Sequence, residues 1–303
     1  MTVTVAGRAA AARCESATSE PQSAEADFVI VQPRIDPHIY VLVSTSPNMV
    51  LPMPRTGLRS LQDAAVTPHE LLVRVRTALA AAGDPATAEG ARAYMKSAMP
   101  YHGVKAQPQR RIFREVFADA HLPSAEAWRE AVLHLWRGAE FREERYAALW
   151  LAGDRRFARF QDMGALPMYE ELIVTGAWWD FVDDVATHRL PVLLRRHAAE
   201  MRREMLDWSR GEDVWKRRAA ILCQLPLKRD TDLDLLQRCI EPSLGRAEFW
   251  LRKAIGWALR QYARTDPTWV ERYVRDHAAA LSPLSKREAL KQLLRSGAIS
   301  AVP

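Results

Sequence analysis

Four segments of this sequence combine tryptophan with charge at helical spacing: EERYAALW from Glu143, WDFVDDVA from Trp179, WKRRAAIL from Trp215 and WLRKAIGW from Trp250. Counted from each start, positions zero, three, four and seven fall on one stripe of a helix. That stripe holds Trp179 and Asp183 in the second segment, Trp215 and Arg218 in the third, and Trp250, Lys253 and Trp257 in the fourth. A packed core accounts for tryptophans on a stripe. It does not account for an aspartate and an arginine among them, because such groups are rarely buried unless paired. A surface that mixes these residues suits binding: ring faces and a carboxylate attract a cation, and a guanidinium grips a phosphate.

Helices must carry these residues, and the sequence turns helical from Pro68 onward. HELLVRVRTALAAAG reads as an amphipathic helix stopped by Gly83, and SAEAWREAVLHLWRG as one capped by Ser124 and stopped by Gly138. The alternation of helix, short turn and helix continues to Leu294, with no alternating sheet pattern, so the fold class expected is all-α. The four segment starts lie 36, 36 and 35 residues apart, and position seven holds Trp150, Ala186, Leu222 and Trp257. A fixed period of this length marks stacked helical repeats, each burying its face against its neighbours. The stack is expected to be a curved solenoid whose inner helices line a concave groove suited to a long ligand.

The formal net charge is +6. Residues 1–66 carry five Arg and no Lys against six acidic residues, leaving 38 basic and 31 acidic residues for the remainder. The positive excess therefore sits in residues 67–303 and points to a polyanionic partner. Cys14, Cys223 and Cys239 have no metal or redox spacing, and the latter two read as buried thiols in a reducing cytoplasm. No apolar run approaches the ~18 residues of a membrane span, and the first residues lack the features of a signal peptide. Residues 1–66, rich in Ser, Ala and Pro with one apolar run at Tyr40–Val43, read as a disordered or loosely attached extension. Met49 or Met53 offers an alternative start within it.

The segments AYMKSAMPYHGVKAQPQRR, WWDFVD, WKRRAAI, FWLRKAIGWALRQYARTDP and LSPLSKREALK, in this order and spacing, resemble the AlkD-type alkylpurine DNA glycosylases, DNA alkylation repair enzymes built of HEAT-like repeats. The resemblance covers about residues 68–297. It implies a catalytic carboxylate at Asp183, active-site aromatics at Trp179 and Trp257, and an active-site arginine at Arg218. It also implies DNA contacts at Tyr94, Trp250 and Arg260; Lys253, Lys286 and Arg287 add basic groups that could meet phosphates. The implied partner is double-stranded DNA containing alkylated purines such as 3-methyladenine and 7-methylguanine. The implied enzyme is a monomeric hydrolase of the base-excision pathway, cytoplasmic and nucleoid-associated, with no cofactor, metal or membrane.

The chemistry fits those residue types. An N3- or N7-alkylated purine is already cationic and leaves as a neutral base without a general acid. The deoxyribose becomes oxocarbenium-like as the bond breaks, and a carboxylate beside it stabilises that cation and orients water. Arg218 is then expected to hold the adjacent phosphate. Asp184, one residue from Asp183 and about 100° around the helix, is expected to pair with a neighbouring arginine. His188 and His197 lack a carboxylate at metal-ligand spacing. RRHAAEMRREM reads as one solvated helix face, and SKREALK as a terminal helix starting at Ser285. Two other functions use the same scaffold: a non-catalytic DNA-binding protein, and a protein-binding repeat whose groove would lack the basic lining of Arg218, Lys253 and Arg260.

Overall fold

A computed structural model of the chain describes residues 66–302, together with the strands Val3–Val5, Phe28–Val31 and Val41–Ser44. The chain divides into two units, Met1–Asp63 and Ala64–Pro303. In the first, β1 (Val3–Val5) and β2 (Phe28–Val31) flank β3 (Val41–Ser44) in an antiparallel sheet, with Val3 opposite Val43 and Ile30 opposite Leu42. The central strand falls on the apolar run at Tyr40–Val43. The rest of the expected extension, Cys14 included, lies outside the described residues.

From residue 66 to 302 every regular element is helical. One row consists of α3 (Ala106–Val116), α5 (Arg142–Ala152), α7 (Trp179–Asp184), α10 (Val214–Leu222), α12 (Phe249–Tyr262) and α14 (Pro283–Arg295), each packed on the next. The second row holds α4 (Ala125–Arg137), α6 (Leu166–Gly176), α9 (Ala198–Arg210), α11 (Leu233–Ile240) and α13 (Pro267–Asp276). α1 (Pro68–Ala82) and α2 (Pro85–Met95) begin the unit, and a π-turn, Val185–Arg189, joins α7 to α8 (Leu190–Arg196). The unit is a helical-repeat solenoid, as the 35–36-residue spacing predicts.

Local chemistry sets the helix ends. Thr67 and Glu70 form a reciprocal capping box at α1, with Pro68 in the first turn. Ser124 caps α4 and Gly138 closes it. The last helix begins earlier than expected. Ser282 caps it and Pro283 opens it, whereas Ser285 is buried and donates its hydroxyl to the Arg252 carbonyl at 2.9 Å. The run RRHAAEMRREM is likewise not one helix, because His197 breaks it between α8 and α9.

The core runs the length of the unit between the rows. Trp128, Trp136, Phe117, Tyr169 and Phe181 are fully buried, each worth ~1.5–3 kcal/mol or more for the apolar surface it removes from water. The donors of the two fully buried tryptophans are satisfied: Trp128 Nε1 reaches the Leu151 carbonyl at 3.1 Å and Trp136 Nε1 the Thr175 hydroxyl at 2.8 Å. Cys223 and Cys239 are buried free thiols, and burial pushes the Cys239 thiol up to about 12.

At the start of α5 two carboxylates are wholly buried. Glu143 accepts the backbone N–H groups of His102, Gly103 and Val104 at 3.0, 2.9 and 3.2 Å, holding the loop before α3. Gly103 sits at φ 86°, where a Cβ would lie 2.0 Å from the Asp84 carbonyl oxygen. Glu144 takes Arg76 at 2.9 Å, His102 Nε2 at 3.1 Å and the Glu140 N–H at 2.8 Å.

Burial alone would raise the Glu144 carboxyl, but these donors outweigh it and bring it from 4.5 to about 2. A depressed carboxylate contributes stability above its unfolded value and loses it as pH falls through the folded one. Glu144→Gln should therefore destabilise the protein by ~3 kcal/mol near neutrality. In urea titrations the gap between variant and parent should close as pH drops from 4.5 toward about 2. A pH-independent gap would assign the loss to packing instead.

Candidate functional site

The helices of the first row start at different distances along the repeat, and this sets which residues meet. Their N-caps are Phe141, Trp178, Asp213 and Glu248. Five residues beyond each stand Tyr146, Asp183, Arg218 and Lys253. Asp183 and Arg218 are thus equivalent residues of adjacent helices. The tryptophan register of the sequence put them at positions four and three, one residue out of step. Trp179 corresponds to Val214 and Phe249, and the counterpart of Trp215 and Trp250 is Asp180.

Equivalence of opposite charges on neighbouring helices yields a two-pronged ion pair. Arg218 Nε donates to Asp183 Oδ1 and Nη2 to Oδ2, both at 2.7 Å. Nη1 donates to the Trp250 carbonyl, also at 2.7 Å, so Arg218 ties α7, α10 and α12 together. The arginine side chain is 4% exposed and the aspartate 13%. Three of five guanidinium N–H groups are thereby used within the protein. The donors expected to meet a phosphate go to the carboxylate instead. Behind the pair, Trp178, Trp215 and Trp250 pack together with ring centres 5.4–6.3 Å apart. The Arg218 guanidinium lies 5.9 Å from the Trp250 ring centre.

Trp179, Asp183 and Trp257 line one cleft of about 530 Å³. Its other walls include Asp180, Asp184, His188 and Gln261. Burial pushes the Asp183 carboxyl above the ordinary aspartate range; the Arg218 guanidinium pulls it back down without cancelling that push, and the nearby Asp180 adds to it. A carboxylate has about four lone-pair sites, and Arg218 takes two, leaving the remainder for a ligand. Asp184 pairs with Arg189 at 3.2 Å and with His188 at 3.3 Å, as expected of the neighbouring carboxylate.

Asp180 went unnoticed in the sequence. Arg142 Nη2 donates to its Oδ1 and the Tyr146 hydroxyl to its Oδ2, both at 2.6 Å. Arg142 also lies over the Phe181 ring, 4.1 Å from its centre. The available signal was spacing: Asp180 and Asp183 are three apart on one helix face. The π-turn just after Asp184 was equally invisible, and such turns are frequent at functional sites.

The candidate DNA contacts divide. Tyr94 is 78% exposed and Arg287 is exposed. Trp250 is half-buried in the tryptophan cluster. Lys253 and Arg260 share Glu288, Lys253 at 3.0 Å, so their charges are partly neutralised. Lys286 donates to the Ala278 carbonyl at 3.3 Å. No helix among the described residues is long and apolar enough to cross a membrane.

Residues 75–293 match the family model described as DNA alkylation repair enzyme. Among solved structures, the chain is similar to a predicted DNA alkylation repair enzyme from Enterococcus faecalis. The two share 30% identity over 70% of this chain and 96% of that one, with a TM-score of 0.64. No curated protein matches.

Removing one partner of a buried pair leaves the other charge uncompensated, so Arg218→Ala should destabilise the protein by ~3–5 kcal/mol at neutral pH. Without the guanidinium the Asp183 carboxyl rises further, and the loss should shrink as pH falls and that group takes a proton. Adding Asp183→Asn should recover part of the loss. Strict additivity of the two substitutions in chemical denaturation would show that the pair is not coupled.

Proposed function

The chain belongs to the DNA alkylation repair enzyme family, and we propose that it is a monofunctional DNA glycosylase, hydrolysing the N-glycosidic bond of positively charged alkylated purines in duplex DNA. The observation that carries this reading is Asp183, gripped from behind by Arg218 and open in front to a cleft flanked by Trp179 and Trp257.

As the bond breaks, its electron pair passes to the cationic purine, which leaves neutral, and positive charge develops on the sugar. Asp183 faces that charge and orients the water that adds to the anomeric carbon, and the proton this water loses passes by way of the carboxylate to solvent; the products are a free base, an abasic site and that proton. Trp179 and Trp257 present ring faces to the sugar cation, each worth ~0.5–2 kcal/mol. Arg218 is a positioning residue, fixing the carboxylate through both oxygens. The two further carboxylates of the cleft are both engaged as acceptors, Asp180 by Arg142 and Tyr146, Asp184 by Arg189 and His188. Neither offers a proton to a leaving base.

Asp183→Asn should lower single-turnover release of 7-methylguanine by on the order of 10²-fold or more. Because the active form is the carboxylate and its pKa is raised, release by the parent should fall with acidity at a midpoint above the ordinary ~3.9. An unchanged rate in the variant removes Asp183 from the mechanism.

Leaving-group charge should also set the substrate range. Matched duplexes, each with one lesion and excess enzyme, should lose cationic 3-methyladenine and 7-methylguanine readily. They should keep hypoxanthine and 1,N6-ethenoadenine, which would depart as poorly stabilised anions. Efficient hypoxanthine release would demand a general acid, and His188, which lines the cleft and is paired with Asp184, would then be the group to test.

A further inference from the structure

Beside the acidic cleft lies a basic one. Arg114 of α3, Trp150 of α5, Arg155 and Arg156 just beyond α5, and Arg189 of the π-turn enclose about 590 Å³. Four guanidinium groups line this space against a single carboxylate, Asp154, which pairs with Arg156 at 2.6 Å. Arg189 forms a fixed wall: it donates to the Leu149 carbonyl at 3.0 Å and lies so close to Gly153 that a Cβ there would come within 1.8 Å of its Nη1. Arg114 and Arg155, in contrast, are exposed and make no ion pair among the described residues. Unpaired guanidinium groups gathered at one cleft repel each other, and each presents the donor fork that suits a phosphate.

The two clefts share a wall. Arg189, in the basic cleft, is paired with Asp184, in the acidic one, at 3.2 Å. Asp183 and Arg189 are six residues apart on one helical segment, ~9 Å of rise. That spans roughly two to three nucleotides at ~3.4 Å per nucleotide along one strand. We propose that the basic cleft holds the phosphodiester backbone of DNA a few nucleotides from the one at Asp183, with Arg114 and Arg155 as the phosphate contacts. This placement rests on the DNA-glycosylase reading above.

The test is affinity of the full chain for an undamaged duplex, read by fluorescence anisotropy across a NaCl series, beside release of 7-methylguanine from a damaged one. The double variant Arg114→Ala/Arg155→Ala should bind more weakly and show a log–log salt slope shallower by about 2. Reversal of both charges to Glu should weaken binding further. The pair Arg272→Ala/Arg275→Ala, on second-row α13, should leave slope and release unchanged. If the parent binds and releases the base but Arg114→Ala/Arg155→Ala keeps its slope, the cleft is overturned and the glycosylase reading stands. If the parent neither binds duplex nor releases base, the glycosylase reading fails and the cleft proposal with it.

Discussion

The site depends on a buried ion pair between neighbouring repeats. Removing a carboxylate and a guanidinium from water costs several kcal/mol per ion, and only close geometry with further hydrogen bonds offsets it. Both conditions hold at Asp183 and Arg218, through two bonds of 2.7 Å and a third from Arg218 to the Trp250 carbonyl. Similar links extend the row: Arg142 and Tyr146 of α5 hold Asp180 of α7, and Lys253 and Arg260 of α12 hold Glu288 of α14. Each first-row helix from α5 to α14 is thus tied to the next by charge or by a charge-assisted bond. These links join neighbouring helices at defined residues, and one of them holds Asp183 at the cleft.

The helix around Asp183 is locally irregular. α7 contributes six residues before the π-turn at Val185–Arg189 adds one residue to the winding, and α8 resumes with Pro191 in its first turn. The π-turn ends at Arg189, whose guanidinium reaches back to Leu149 of α5 and to Asp184. Asp184 of the acidic cleft and Arg189 of the basic cleft thus lie on one helical segment, at the two ends of the π-turn.

Much of this was legible in the sequence. Period and caps specify the helices: Ser124 and Gly138 act through local backbone bonds that sequence alone determines. The stripe of Trp179, Asp183 and Trp257 was visible for the same reason, because spacing on a helix is local. What escaped depends on how one helix start lines up with the next. Aligning tryptophans made Trp179 the partner of Trp215 and Trp250, whereas Trp178 packs against those rings, because α7 begins one residue later in its repeat. The same shift hid Asp180, and it concealed that Arg218 faces Asp183 rather than solvent. Bond partners 35 residues apart cannot be deduced from spacing within eight. The fold class held for the repeat unit, while the short sheet before it rests on pairings between distant segments.

Under the proposed reaction a neutral ion pair would have to stabilise a cation, and its geometry resolves the difficulty. Take the sugar cation about 4 Å from the carboxylate, the guanidinium about 8 Å away behind it, and an effective dielectric of about 20. The two interactions are then about −4 and about +2 kcal/mol, leaving about 2 kcal/mol of net attraction. The arginine thus cancels about half of the pull of Asp183. In exchange it opposes the upward push of burial on that carboxyl and aims both oxygens. With the two tryptophan faces, the total reaches about 3–6 kcal/mol, or roughly 10²–10⁴ in rate at 1.36 kcal/mol per decade. So modest a sum suits a reaction whose leaving group already carries positive charge. It would not suffice for a neutral purine, whose departure as an anion needs a proton; the one imidazole lining this cleft, His188, is held by Asp184.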